Sequence, residues 1–145
     1  MDALTLISQD HSNLWRLATT VDQVASEIES GAAIEQPFFT AVFDYIEQFV
    51  DRSHHPKEDD YLFRLLRLRS PEAAAVLDGL QMEHREGPAK LVALRTQVAA
   101  AAQGQLPAAE LATALRNYTT GLKVHIRTEE KNVLPLARSA LLQAD

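Results

Sequence analysis

The sequence predicts an all-α protein, an up-down-up-down four-helix bundle, on three observations. Apolar residues recur at helical spacing almost throughout, and no stretch alternates as a strand would. Breaks at Gly31, at Ser70-Pro71 and at Gly104 to Pro107 cut the chain into four long segments. The connections are short, which makes consecutive helices antiparallel neighbours.

The first helix is expected over residues 3–30, with Leu4, Ile7, His11, Leu14, Trp15, Ala18, Val21, Ala25 and Ile28 on one stripe and Gly31 as a stop. The second runs from about Glu35 to Arg69, with Pro37 in its first turn, where a missing N–H costs little. Its stripe is Phe39, Val42, Phe43, Ile46, Val50, His54, Glu58, Tyr61 and Leu65. Pro56 removes an N–H and frees the carbonyl of Arg52, which predicts a local kink. Ser70 is placed to cap the third helix, with Pro71 at its first position. That helix spans about 71–103 through Leu77, Leu80, His84, Leu91, Leu94 and Val98. The fourth opens at Pro107 and carries Leu111, Leu115, Tyr118, Leu122, His125, Glu129, Val133 and Leu136, with Pro135 bending its end.

A chain of 145 residues, 46% hydrophobic and 23% charged, is the size and composition of one soluble domain, expected to span 1–145. Without cysteine it has no disulfide, thiolate metal site or iron–sulfur cluster. A net charge of −6 argues against nucleic acid and anionic membranes as partners. No signal peptide and no membrane-length apolar run are evident, so a cytoplasmic protein is expected. A homodimer or a separate protein partner is left open.

His-x-x-x-Glu occurs twice, as His54 with Glu58 and His125 with Glu129, and the four-residue step puts each pair on one helical face. His11 lies 19 residues before residue 30, and His54 lies 19 after residue 35. His84 lies 19 before residue 103, and His125 lies 18 after residue 107. At ~1.5 Å per residue all four fall in one layer, roughly 27–29 Å from the same end of the bundle. Four imidazoles and two carboxylates in an apolar layer need a cation to satisfy them. They are ligands suited to iron, manganese or zinc, and two carboxylates with two pairs of histidines suit a dinuclear centre. His55, about 100° from His54, is expected to face solvent or a helix neighbour. Trp15 and Tyr118 read as core residues, and Glu58-Asp59-Asp60 as partly a solvated face with only Glu58 inward.

His11, the run His-His-Pro-Lys-Glu-Asp-Asp-Tyr-Leu-Phe holding His54 and Glu58, His84 in Glu-His-Arg-Glu, and His125 with Glu129 resemble the hemerythrin-like (HHE cation-binding) domain over essentially the full chain. The resemblance implies two iron ions in an oxo- or hydroxo-bridged di-iron centre, with zinc or manganese as substitutes. His11 and His54 would serve one ion, His84 and His125 the other, and Glu58 and Glu129 would bridge. It implies a small diatomic ligand or peroxide as partner, with a role in sensing, redox response or iron handling. A di-iron oxidase, peroxidase or NO-handling enzyme is the alternative, and a structural zinc-binding or metal-free bundle the third reading. Oxygen-carrying hemerythrins have a His-x-x-x-His pair on the third helix, whereas Leu80 and Pro88 flank His84 here. They use an aspartate five residues after the last histidine, where this chain has Glu130. One histidine fewer leaves a position open on the second ion, with Gly87 one turn from His84 making room.

Overall fold

The computed structural model describes residues 2–141 and 145. Four helical rods run through it: α1 (Ala3–Glu29), α2 (residues 36–69), α3 (Ala74–Ala102) and α4 (residues 108–140). α1 packs most closely on α4, α2 on α3, and α3 also on α4, giving the expected bundle. No strand occurs among the described residues. Nor is any helix there long and apolar enough to cross a membrane.

The ends follow from local chemistry. Asp2 accepts a hydrogen bond from the Thr5 N–H at 2.7 Å and caps α1. Gly31 and Gly104 take φ of +105° and +74° just past α1 and α3, a region that favours glycine. Ser70 is buried, but its side chain makes no capping bond, contrary to expectation. A single 3₁₀ turn, Pro71–Ala73, leads into α3 instead.

α2 and α4 are not uniform α-helices. Wider π turns occupy Ile46–His54 and Glu58–Phe63 in α2, and Glu129–Val133 in α4. The His55 N–H bonds the carbonyl of Val50, and the Leu134 N–H that of Glu129, each five residues back. Pro56 and Pro135 come one residue later. A proline ring collides with the carbonyl four residues before it, here Arg52 and Lys131, and a wider turn relieves that collision. The kink expected at Pro56 is therefore absorbed as winding, with helical backbone angles kept at His54 and Glu58.

Wider turns advance each residue through a smaller angle than an α turn, so the inward face shifts along the sequence. Tyr61, placed on the inward stripe by α-helical spacing, is 65% exposed, while Leu62, Phe63 and Leu66 are buried. In α4 the burial passes to Val133, Leu134 and Ala137, and Leu136 is only half-buried.

Two apolar clusters result. One, toward the 30–35 and 103–107 loops, includes Leu14, Val21, Phe39, Phe43, Ile46, Leu91, Leu94, Leu111 and Leu115. The other, toward Ser70, includes Ile7, Phe63, Leu66, Leu77, Leu80, Val133 and Leu134. A buried polar layer lies between them.

Candidate metal centre

That layer brings together all six residues singled out by spacing. His11, His54, Glu58, His84, His125 and Glu129 are all buried, and both glutamates are wholly inaccessible. His11, His54, Glu58 and Glu129 present ligand atoms within 4.8 Å of one another. His55, His84 and His125 form a second such group.

Each of the four spaced histidines is oriented by a carboxylate from another helix. Asp10 on α1 faces His54 Nδ1 on α2 at 2.9 Å. Asp59 on α2 faces His84 Nδ1 on α3 at 2.8 Å. Glu83 on α3 holds His125 Nδ1 on α4. Glu130 on α4 faces His11 Nδ1 on α1 at 2.8 Å and closes the ring. A carboxylate at Nδ1 fixes the ring and the tautomer, leaving Nε2 as the nitrogen that faces the centre. None of these four acids is a spaced-motif residue, yet each adjoins one in sequence: His11, Glu58, His84 and Glu129. The run after Glu58 is thus less of a solvated face than expected.

The inward nitrogens crowd the glutamates. Glu129 reaches His11 Nε2 with Oε2 at 2.9 Å and His125 Nε2 with Oε1 at 2.6 Å. Glu58 Oε1 lies 2.9 Å from His54 Nε2 and 3.8 Å from His84 Nε2. Each carboxylate therefore lies between the two histidine groups. Yet all four of their oxygens are buried without a hydrogen bond in formed geometry. His84 Nε2 and His125 Nε2 stand 3.1 Å apart. Two imidazoles at right angles on one ion, with bonds of ~2.1 Å, would place their nitrogens about 3 Å apart. Lone pairs and carboxylate oxygens facing one another in a dry site require positive charge between them.

Without metal, protons supply that charge. Burial opposes protonation of His11, but Glu129 and Glu58 outweigh it and raise its pKa to about 11. His84 is raised to about 9 against the same burial, by Asp59, Glu129 and Glu58. His54 and His125 are raised by their glutamates. Burial would push Glu129 up, but its close contacts with Glu58, His11, His125 and His84 hold it well below its ordinary value. Protons and cations thus compete for one space, and the nitrogen and oxygen donor set fits iron, manganese or zinc.

Of the two places expected for His55, solvent or a helix neighbour, it takes the second: its side chain is 14% exposed and stacks on His84 of α3, with ring centroids 3.8 Å apart. The smaller angular step of the π turn before it brings it toward the face that carries His54. Burial lowers its pKa, with Asp51 opposing.

One side of the centre is open. A cavity of about 350 Å³ between α2, α3 and α4 is bordered by His55, His84 and His125, and by Gly87, Tyr118 and Asn117. Gly87 lines it as expected. Tyr118, packed against the larger apolar cluster, also lines it, and burial raises its hydroxyl above the ordinary range. Trp15 is half-buried at the edge of that cluster, with Lys123 and Arg127 over its ring.

No curated protein and no solved structure matches the chain significantly. The sequence profile of the Hemerythrin HHE cation binding domain matches residues 2–137. With that match over nearly the whole chain and a buried histidine–glutamate layer able to hold cations, the protein belongs to the hemerythrin HHE cation-binding family.

Proposed function

We propose that the protein holds two iron ions and uses them to bind or react with O2, NO or peroxide, in sensing, redox response or iron handling. The observation that carries this is the pair of wholly buried glutamates, their four oxygens without hydrogen bonds, set between two groups of histidines. In this reading His11 and His54 hold one ion, His84 and His125 the other, and Glu58 and Glu129 span both. Asp10, Asp59, Glu83 and Glu130 orient the rings and keep each Nε2 free of a proton once metal is bound. The iron pair would supply redox-active binding for a small ligand. The apolar clusters above and below exclude water, and the cavity gives the ligand a path to the side of the centre that carries His84 and His125.

Turnover is favoured by one specific observation. The cavity, at about 350 Å³, exceeds what a diatomic molecule needs and is in the range of small-molecule sites. Persistent consumption of peroxide or NO under reducing conditions would make the protein an enzyme. A single stoichiometric spectral change would make it a binder.

The deciding experiment is metal content and the near-ultraviolet and visible spectrum of protein from iron-supplemented cells, before and after dithionite. Two irons per chain, with absorption that bleaches on reduction and returns in air, are expected. Zinc alone, or no metal and no band, would instead favour a structural bundle.

A further inference from the structure

The fifth histidine of the chain is unassigned by any motif, yet its ring lies among those of the other histidines. Its ring centroid lies 3.8 Å from that of His84, 5.8 Å from that of His125 and 5.7 Å from that of His54. Its ligand atom is within 4.8 Å of those of His84 and His125. Its Nδ1 faces Asp51 Oδ1, one helical turn back, at 3.5 Å. All five histidines therefore have a carboxylate at Nδ1.

We infer that His55 is a fifth nitrogen ligand, supplied by α2 to the ion held by His84 and His125. The inference rests on the dinuclear reading above. A histidine that merely filled space between α2 and α3 would have no need of Asp51, and an apolar ring would pack there without cost. Instead His55 Nδ1 is buried with no formed hydrogen bond, an expensive arrangement for a polar atom. A ring movement of about half an ångström toward Asp51 would bring that contact to ordinary hydrogen-bond length. It would leave Nε2 as the ligating atom, as in the other four rings. The sequence leaves a ligand position open because α3 offers no second histidine near His84. The π turn of α2 turns His55 toward that place. The cavity-side ion then has three imidazoles and the enclosed ion two, with both glutamates shared.

Asp51 is a positioning residue in this arrangement. It lies between His55 and Gly87, where a Cβ on the glycine would meet Asp51 Oδ1 at 3.7 Å. Its charge also acts on the Tyr118 hydroxyl. Whatever enters the cavity therefore meets the His55–Asp51 pair beside the ion.

The test uses cobalt(II) as the probe, because it is redox-stable and takes nitrogen and oxygen ligands. In cobalt-loaded protein with ¹⁵N-labelled histidine, each ligating ring with a proton on Nδ1 gives one hyperfine-shifted, exchangeable N–H signal. Two cobalt ions per chain and five shifted signals are expected in the wild type, with four signals in His55→Gln. Asp51→Asn should keep the His55 signal, move it, and weaken one ion by about 10–100-fold. Two ions with only four shifted signals in the wild type would overturn the inference and leave the dinuclear reading standing. Fewer than two ions per wild-type chain would remove both. The wild-type count decides the matter even where His55→Gln fails to fold.

Discussion

His11 and His54 are buried and grouped with Glu58 and Glu129, and neither lines the cavity between α2, α3 and α4. His84 and His125 belong to the same layer and have the same kind of carboxylate support, but they border a cavity of about 350 Å³. Their ring neighbours differ too: His84 stacks on His55 and Phe63, whereas His11 and His54 meet edge to face, and His54 meets His55 in the same way. One pair of histidines is enclosed with the glutamates, and the other borders the cavity. Symmetry in the motif, two His-x-x-x-Glu pairs, thus hides an asymmetry in access.

Removing a shared glutamate should erase the distinction altogether. In Glu129→Gln the imidazoliums of His11 and His125 lose their closest counter-charge in a buried site. We expect loss of both ions and a destabilisation of the metal-free protein by about 3–5 kcal/mol, read by denaturant unfolding. Retention of two ions would show that Glu129 is not shared between the halves.

The halves should respond unequally to loss of a histidine. His54→Ala leaves the wholly buried Glu58 without its nearest partner and should cost several kcal/mol, about the same scale as other broken buried pairs. His125→Ala opens onto the cavity, where water can reach Glu83, and should cost about half as much. Equal losses in thermal unfolding would break the comparison.

The pH dependence should reverse on loading. In metal-free protein, His11 and His84 titrate at about 11 and about 9, above their ordinary 6.5. The stability they contribute is complete below about 6.5 and is lost as pH rises through about 9 and then about 11. Glu129, held low, contributes above its ordinary range and loses that contribution only in strong acid. Loaded protein should do the opposite, gaining from alkali and releasing metal on acidification. Melting curves of both forms from pH 5 to 10 would show crossing trends. Parallel trends would mean that metal does not replace these protons.

The smallest expected effect concerns access alone. Gly87→Leu places a side chain in the cavity, since even its Cβ meets only Asp51 at ordinary contact distance. Metal content should be unchanged, while azide or NO association, followed by stopped-flow absorbance, slows by about tenfold, equivalent to about 1.4 kcal/mol on the barrier. An unchanged rate would place the entry path elsewhere.

The helix count and the convergence of six polar residues were legible because α-helical spacing holds from the upper loops to His11, His84 and His125, and the wider turn ending at His54 still leaves that residue buried. On either side of Pro56, over Ile46–His54 and Glu58–Phe63, it does not hold. Tyr61 and Leu62 exchange faces there, and His55 turns inward, because the turns around the proline are wider than the α period assumed for them. The four supporting acids were missed for another reason. Charged residues next to a ligand read as a solvated face when each helix is considered alone, and their partners are on other helices. A signal did exist: an acid immediately beside His11, Glu58, His84 and Glu129, and Asp51 four residues before His55.

The closed circuit of those acids has a consequence for how the rods fit lengthwise. Each helix both gives a carboxylate to a neighbour and receives one from the other side. A helix that slid along its axis by one residue, about 1.5 Å, would strain two pairs at once, one given and one received. Apolar side chains tolerate such sliding far better than carboxylates held at hydrogen-bond distance from buried imidazoles do. The ring therefore acts as a vernier, setting the height of every helix before any cation arrives.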